Sequence, residues 1–144
     1  MKDVDAAWLA GYIDGDGCIT LSSSVKKVSP VLHIDSCDRE MLDDVVRLCG
    51  GHIVNKTKSK DHHRQAYTWR LKGTQKIQGI LRYVRPFMRC RFKVMRADIV
   101  LNEWSACTAI GGAYTDEIRV ARVAMIARFM QHGDGRGKRN IKEG

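Results

Sequence analysis

The chain has 144 residues, 44% of them hydrophobic, enough for one domain to bury a core without staples. Its 25 lysines and arginines against 16 aspartates and glutamates leave a formal net charge of +9, so a polyanion is the natural partner and binding to it should weaken with salt. No apolar run approaches the ~20 residues of a membrane span, and the opening Met1-Lys2-Asp3-Val4-Asp5 has neither a secretory nor an Arg-rich transit pattern, which predicts a protein that works where it is made.

From Val4 to Ile13 the apolar residues Trp8, Leu9, Tyr12 and Ile13 recur at helical spacing. Ala7, Gly11 and Gly15 form a separate stripe of small residues; either another backbone packs closely there or the stripe faces a crowded part of the same core. The helix runs out in Asp14-Gly15-Asp16-Gly17, at the end where the macrodipole is negative and carbonyls lack partners. Carboxylates destabilise that end unless something positive sits beside them, and carboxylates with free carbonyls are the oxygen ligands that Mg2+ or Ca2+ takes. Two aspartates in a Gly-rich turn are the plainer alternative.

Residues 18 to 26 alternate as a half-buried strand, with Ile19, Leu21 and Val25 on one face and Thr20, Ser22, Ser24 and Lys26 on the other. After a turn at Ser29-Pro30, Leu32 and Ile34 alternate with Val31, His33 and Asp35 in a second strand. Asp38 is positioned to cap a helix whose stripe is Met41, Leu42, Val45, Val46 and Cys49, and Gly50-Gly51 ends it. Residues 52 to 58 and 66 to 72 then pair as a hairpin around the loop Ser59 to Gln65; Tyr67, Trp69 and Leu71 face inward and Thr68, Arg70 and Lys72 outward. Thr74 caps a short helix carrying Ile77, Ile80, Leu81 and Val84 toward the core, and Pro86 interrupts it. Two more helices are expected from roughly Met88 to Ser105 and Thr115 to Met130, the latter with Val120, Val123, Ala124, Ile126, Ala127 and Met130 among its apolar positions.

These elements predict an α+β domain over residues 1–132, a curved antiparallel four-stranded sheet backed on one side by helices in the order αββαββα. Residues 133–144 read as a flexible, Gly-rich basic tail, resembling a phosphate loop only superficially because it follows a helix. The uncovered sheet face offers Thr20, Ser22, Ser24, Lys26, His33, Asn55, Thr57, Thr68, Arg70 and Lys72, donors suited to base edges and phosphates, and a strand pair fits the DNA major groove. An ordinary solvated sheet face is the alternative. No aromatic platform looks outward, which argues against single-strand stacking, and His62-His63 lies in a basic loop that suits phosphate rather than metal.

Cys18, Cys37, Cys49, Cys90 and Cys107 are odd in number and lack paired C-x-x-C spacing, as expected of reduced intracellular thiols. Cys49 and His52 make only half of a zinc spacing. No serine sits in a strand-turn-helix nucleophile setting, and the ligand and base spacing of a His-metal nuclease is missing.

The nonapeptide Leu9-Ala10-Gly11-Tyr12-Ile13-Asp14-Gly15-Asp16-Gly17 matches seven of nine positions of the LAGLIDADG signature, departing at Tyr12 and Gly15. The chain thus resembles the LAGLIDADG homing endonucleases, whose element order it follows through about residue 100. The resemblance implies that Asp16 binds the catalytic metal, assisted by the carbonyl of Gly15. Asp14, two positions away, points elsewhere and takes a structural role, satisfying backbone donors at the helix end or across a helix pair. One motif per chain implies a homodimer joined through Ala7, Gly11 and Asp14, which brings two copies of Asp16 to the scissile phosphates of a long, near-palindromic double-stranded DNA target. Cleavage in the family leaves short 3′ overhangs. The implied cofactor is Mg2+, with Mn2+ as a substitute and Ca2+ binding without supporting turnover.

In Arg85-Pro86-Phe87-Met88-Arg89-Cys90-Arg91-Phe92-Lys93, Arg91 takes the place where the family usually has Lys. Arginine keeps its proton, so this resemblance implies stabilisation of phosphate charge rather than base catalysis; phosphate anchoring or a solvated helix start is the alternative. Ser36 stands where the family often has Gln or Asn orienting solvent around the metals, a task it can perform only more weakly or through another water. The resulting expectation is a site-specific, metal-dependent DNA endonuclease with double-stranded DNA and a second copy as partners, no membrane and no small-molecule substrate. It would act in the compartment holding its target DNA, a prokaryotic cytoplasm or an organelle. The rivals are an RNA maturase or non-cleaving DNA-binding protein on the same scaffold, against which the presence of Asp16 weighs, and a basic structural domain whose aspartates only cap a turn.

Overall fold

The computed structural model describes residues 1–22, 28–58, 62–109, 111 and 113–131. In chain order they form α1 (Asp3–Asp16), β1 (Gly17–Leu21), β2 (Pro30–Ser36), α2 (Arg39–Cys49), β3 (His52–Asn55), β4 (Tyr67–Lys72), α3 (Thr74–Val84), a 3-10 turn (Arg85–Phe87), α4 (Arg91–Asn102) and α5 (Asp116–Gln131). The four strands make one antiparallel sheet in the order β1-β2-β4-β3, and the fold is the expected α+β class. Among the described residues no helix is long and apolar enough to cross a membrane.

Ile19, Leu32, Ile34, Trp69 and Leu71 project from one sheet face into the core, where they meet Leu9, Ala10 and Ile13 of α1, Leu42 and Val45 of α2, and Ile77, Leu81 and Val84 of α3. Trp104, Met125 and Phe129 extend this core with Ala97 and Val100 of α4. Among the described residues the helices therefore cover the sheet on one side only.

Local chemistry sets the element ends. Asp3 and Asp5 lie in the first turn of α1, where negative charge complements the helix dipole. Asp38 accepts the Met41 amide at 3.1 Å and caps α2, as its position predicts. Gly50 and Gly51 then reverse the chain with φ of 70° and 85°, and the Gly50 carbonyl accepts the Trp69 indole N–H at 2.8 Å. Gly73, with φ of 100°, occupies the N-cap of α3, so Thr74 is its first residue and not its cap.

Gly17 joins α1 to β1, and its amide donates to the Ile13 carbonyl. A Cβ at this position would lie 2.7 Å from Ile13 Cα, a backbone atom that cannot swing away. Gly17→Ala is accordingly expected to destabilise the domain by about 1–3 kcal/mol, measurable as a lower urea midpoint.

Several boundaries are tighter than the sequence predicts. β1 ends at Leu21, with residues 23–27 outside the described set, and β3 ends at Asn55, although the Lys56 amide still donates to Ala66. Pro86 diverts the chain into the 3-10 turn and an extended Met88, so α4 starts at Arg91 rather than near Met88. The tail at 133–144 lies outside the described residues.

Candidate active site and nucleic-acid interface

The C-terminal end of α1 and the N-terminal end of α4 cap one another. Lys93, buried in the first turn of α4, donates from Nζ to the carbonyls of Ile13 and Asp14 at 2.9 and 2.7 Å. It supplies the positive charge and the donors that the end of α1 lacks. In return Asp14 Oδ2 accepts the amides of Arg89 and Cys90, at 2.6 and 3.2 Å, just ahead of α4. Asp14 thus satisfies backbone donors of its own chain, while its Oδ1 is buried without a hydrogen-bond partner among the described residues.

Asp16 differs. Its side chain is exposed and makes no hydrogen bond or ion pair with any described residue. Gly15 is exposed beside it, and because residue 19 belongs to β1, the Gly15 carbonyl has no intrahelical amide to accept. Tyr12 lies between this end and β2: burial raises its pKa, Ser36 acts in the opposite sense, and the charges of Asp16 and Asp38 raise it further. Ser36, Tyr12 and Asp16 therefore share one neighbourhood. Ser36 Oγ accepts the Asp38 amide at 3.0 Å, and its hydroxyl also acts on the Tyr12 phenol. Arg91 opens α4 with an exposed side chain that has no partner among the described residues.

The outer sheet face departs in part from the expected set. Register places Cys18, His33, Arg70 and His52 on one rung across all four strands, Thr20, Val31 and Lys72 on a second, and Asp35, Thr68 and Val54 on a third. Asn55 pairs with Tyr67 and so belongs to the opposite face, and Thr57 lies beyond the end of β3; the outward positions of that strand are His52 and Val54. Thr68 does point outward, yet it is buried and its hydroxyl donates to Asp35 Oδ1 at 2.6 Å, so it is not a free donor. Lys56 Nζ donates to Asp35 Oδ2 at 2.6 Å. Ser22 closes the β1–β2 turn, where its Oγ accepts the Ser29 amide at 3.1 Å. Ser24 and Lys26 lie outside the described residues.

A concavity of about 430 Å3 on this face is lined by Thr20, Leu21, Ser22, Val31, His33, Arg70 and Lys72. The buried Nε of Arg70 has no partner among the described residues. Burial lowers the pKa of His33, opposed by Asp35 and reinforced by Arg70 and Lys56, so the neutral ring dominates at neutral pH. For Asp35, burial raises the pKa, but the hydrogen bonds from Lys56 and Thr68 and the charges of Lys56 and His33 outweigh it, and the group titrates below its ordinary 3.8.

Both shifts give stability that falls with acid. A histidine whose folded pKa is depressed takes up its proton more readily when unfolded, so its contribution is present above pH 6.5 and declines below it; the Asp35 contribution is present above 3.8 and is lost as pH falls through its lower folded value. His33→Gln is expected to flatten the upper part of this decline and Asp35→Asn the lower, measured as urea midpoints against pH.

Val4, Ala7, Gly11 and Gly15 lie exposed along the side of α1 opposite the buried Ala6, Leu9, Ala10 and Ile13. A Cβ added to Gly11 or Gly15 would meet nothing within 4 Å. The small stripe therefore does not face a crowded core of its own chain. Beside it, Ala7, Gly11, Asp14, Pro86, Phe87, Met88 and Arg89 line a hollow of about 350 Å3.

Residues 3–84, more than half of the chain, match the model of the LAGLIDADG-like domain. The chain belongs to the LAGLIDADG family. Its fold is similar to that of the homing endonuclease I-CvuI in complex with its target in the presence of Ca, with a TM-score of 0.63 and 18% identity over 96% of this chain and 87% of that one. The homing endonuclease I-TnaI gives 0.61 and 15%, over 94% and 90% of the two chains. The LAGLIDADG homing endonuclease I-LtrWI bound to target DNA gives 0.65 and 14%, over 95% of this chain but 46% of that one. At these identities the likeness establishes the fold. A search of curated protein sequences found no match.

Lys93 and His52 are the residues of this region that sequence reasoning misses, and Lys56, expected only as the start of a phosphate-touching loop, instead pairs with Asp35 on the sheet face. Strand alternation counted from His52 instead of Asn55 finds His52 and Lys56.

Proposed function

We propose that the protein is a homodimeric, Mg2+-dependent endonuclease that makes a double-strand break at a specific, near-palindromic DNA site. The observation that carries this reading is the contrast at the end of α1: Asp14 is committed to backbone amides, whereas Asp16 is exposed and uncommitted beside an exposed stripe of small residues. The fold supports it, as does the net charge of +9. I-CvuI and I-LtrWI, which share the fold, are bound to target DNA in their structures.

The donor chemistry fits a hard divalent cation. The Asp16 carboxylate and Gly15 carbonyl are oxygen ligands of the kind Mg2+ takes. They form an incomplete set, since the described residues contain no cluster of three or more His, Cys, Asp or Glu able to hold a metal. DNA phosphate, water and a second copy of Asp16 would supply the remaining oxygens. When bound, such an ion supplies Lewis acidity at the phosphate and an acidified water.

The chain's own residues do the rest. Arg91 offers a permanent cation to the phosphate charge that grows during hydrolysis. Ser36 stands near Asp16 with Tyr12, where its hydroxyl can orient solvent. Arg70, Lys72, Thr20 and His33 face the major groove from the open sheet. Two such centres are needed for two strands, and the alignment with only 46% of I-LtrWI accords with a chain that is half of a working unit.

Gly11→Leu tests the dimer. A Cβ at this position meets nothing within 4 Å in the single chain, and leucine favours helix over glycine, so the monomer should be as stable as wild type or more so. A close helix pair through this stripe would be overpacked on both sides, weakening association by at least about tenfold. Sedimentation on duplex DNA should then find two copies of wild type and one of the variant, with cleavage lost. A wild type that remains a single copy on DNA would sink the two-fold model.

A further inference from the structure

We propose that Asp35 reads an exocyclic amino group, cytosine N4 or adenine N6, at one position of each DNA half-site; the inference rests on the reading of the outer sheet face as the DNA surface. Among the described residues of that face Asp35 is the only acid. Its neighbours Thr20, His33, Arg70, Lys72 and Lys56 present donors, which suit phosphate oxygens and the acceptor edges of guanine and thymine. A bare carboxylate on such a surface would repel the polyanion, whereas one whose charge Lys56 offsets can remain there and accept a base contact.

The geometry points to one. Lys56 and Thr68 each donate to one carboxylate oxygen at 2.6 Å, fixing the group and offsetting its charge. Each oxygen can accept twice, so each keeps one acceptor site. The side chain is 43% exposed, with room for a base edge to approach. Facing O6 of guanine or O4 of thymine, this carboxylate would set acceptor against acceptor; facing N4 or N6 it accepts a hydrogen bond. Orientation by two fixed partners gives this contact without further ordering cost.

Selection of bound sequences from a randomised duplex library in the presence of Ca2+, by the full-length wild type, Asp35→Asn and Lys56→Gln, tests the proposal. Wild type is expected to enrich cytosine or adenine about tenfold at one symmetry-related pair of positions. Asp35→Asn should lose the enrichment there and nowhere else, because its amide can turn either a donor or an acceptor to the base. Lys56→Gln retains the carboxylate and should retain the base identity. Asp35→Ser serves the same comparison if Asn impairs folding. An Asp35 variant that keeps the preference, or that weakens binding uniformly at all positions, would overturn the proposal and leave Asp35 a tether for Lys56. Loss of the preference in Lys56→Gln with its survival in Asp35→Asn would make Lys56 the reader. A wild type that enriches no sequence would overturn the DNA reading itself along with this inference.

Discussion

Asp16→Asn is expected to lower DNA cleavage by about 10³-fold or more, the loss of several kcal/mol of metal-dependent stabilisation, while the protein stays folded and bound to DNA. The separation follows from the local structure. Asp16 holds no described residue in place, so removing its charge breaks no internal contact. Its carboxylate also stands at the negative end of α1, where losing a negative charge relieves about 0.3–1 kcal/mol of unfavourable dipole interaction. Thermal midpoint should therefore stay level or rise as activity disappears. A variant that cuts as fast as wild type would remove Asp16 from the chemistry, and one that unfolds would make its role structural.

Lys93→Met should have the largest effect on stability. Lys93 is 6% exposed and donates to two carbonyls at the end of α1. Methionine has similar length and fills the space but donates nothing, so those carbonyls are left without the ammonium and Asp14 loses a neighbouring positive charge. Leaving two carbonyls at this buried helix junction without their donor costs about 1–3 kcal/mol each, readable as a large drop in urea midpoint. Because Asp14 and Lys93 join the same two helix ends, Asp14→Asn and Lys93→Met should be non-additive in a double-mutant cycle. A change within about 0.5 kcal/mol would show that water replaces the ammonium without loss.

Much of the fold is legible in the chain because its periodicities are clear where one face is buried. Leu32 and Ile34 on β2, Trp69 and Leu71 on β4, and Leu42 and Val45 on α2 all fall on the predicted inner faces. Asp38 and the Gly50-Gly51 pair mark the ends of α2 by chemistry that is local and so readable. β3 fails for the converse reason. It is an edge strand whose His52, Val54 and Asn55 are all exposed, so polarity carries no information about which face each residue takes, and Asn55 lies on the inner face rather than the outer one its polarity predicts.

The site is legible unevenly. The nonapeptide locates Asp14 and Asp16, and their two-residue spacing separates them into different surroundings. Polarity alone marks Thr68 as a solvent-facing donor, yet its hydroxyl is covered by the Asp35 contact, a pairing across 33 residues that only the sheet register creates. Lys93 is invisible for a similar reason. A lysine in a helical pattern reads as exposed, and its burial depends on the meeting of α1 with α4 across about 80 residues of chain.

The proposed function is cleavage of both strands of a symmetric DNA site using Asp16. The most direct measurement incubates the full-length protein with a randomised duplex library and Mg2+ and sequences the new ends, with Asp16→Asn in parallel. Wild type alone should give ends on both strands, separated by a short 3′ overhang and flanked by related half-sites in inverted order. Absence of cut ends above the no-protein background, or equal cutting by Asp16→Asn, would contradict the proposed function.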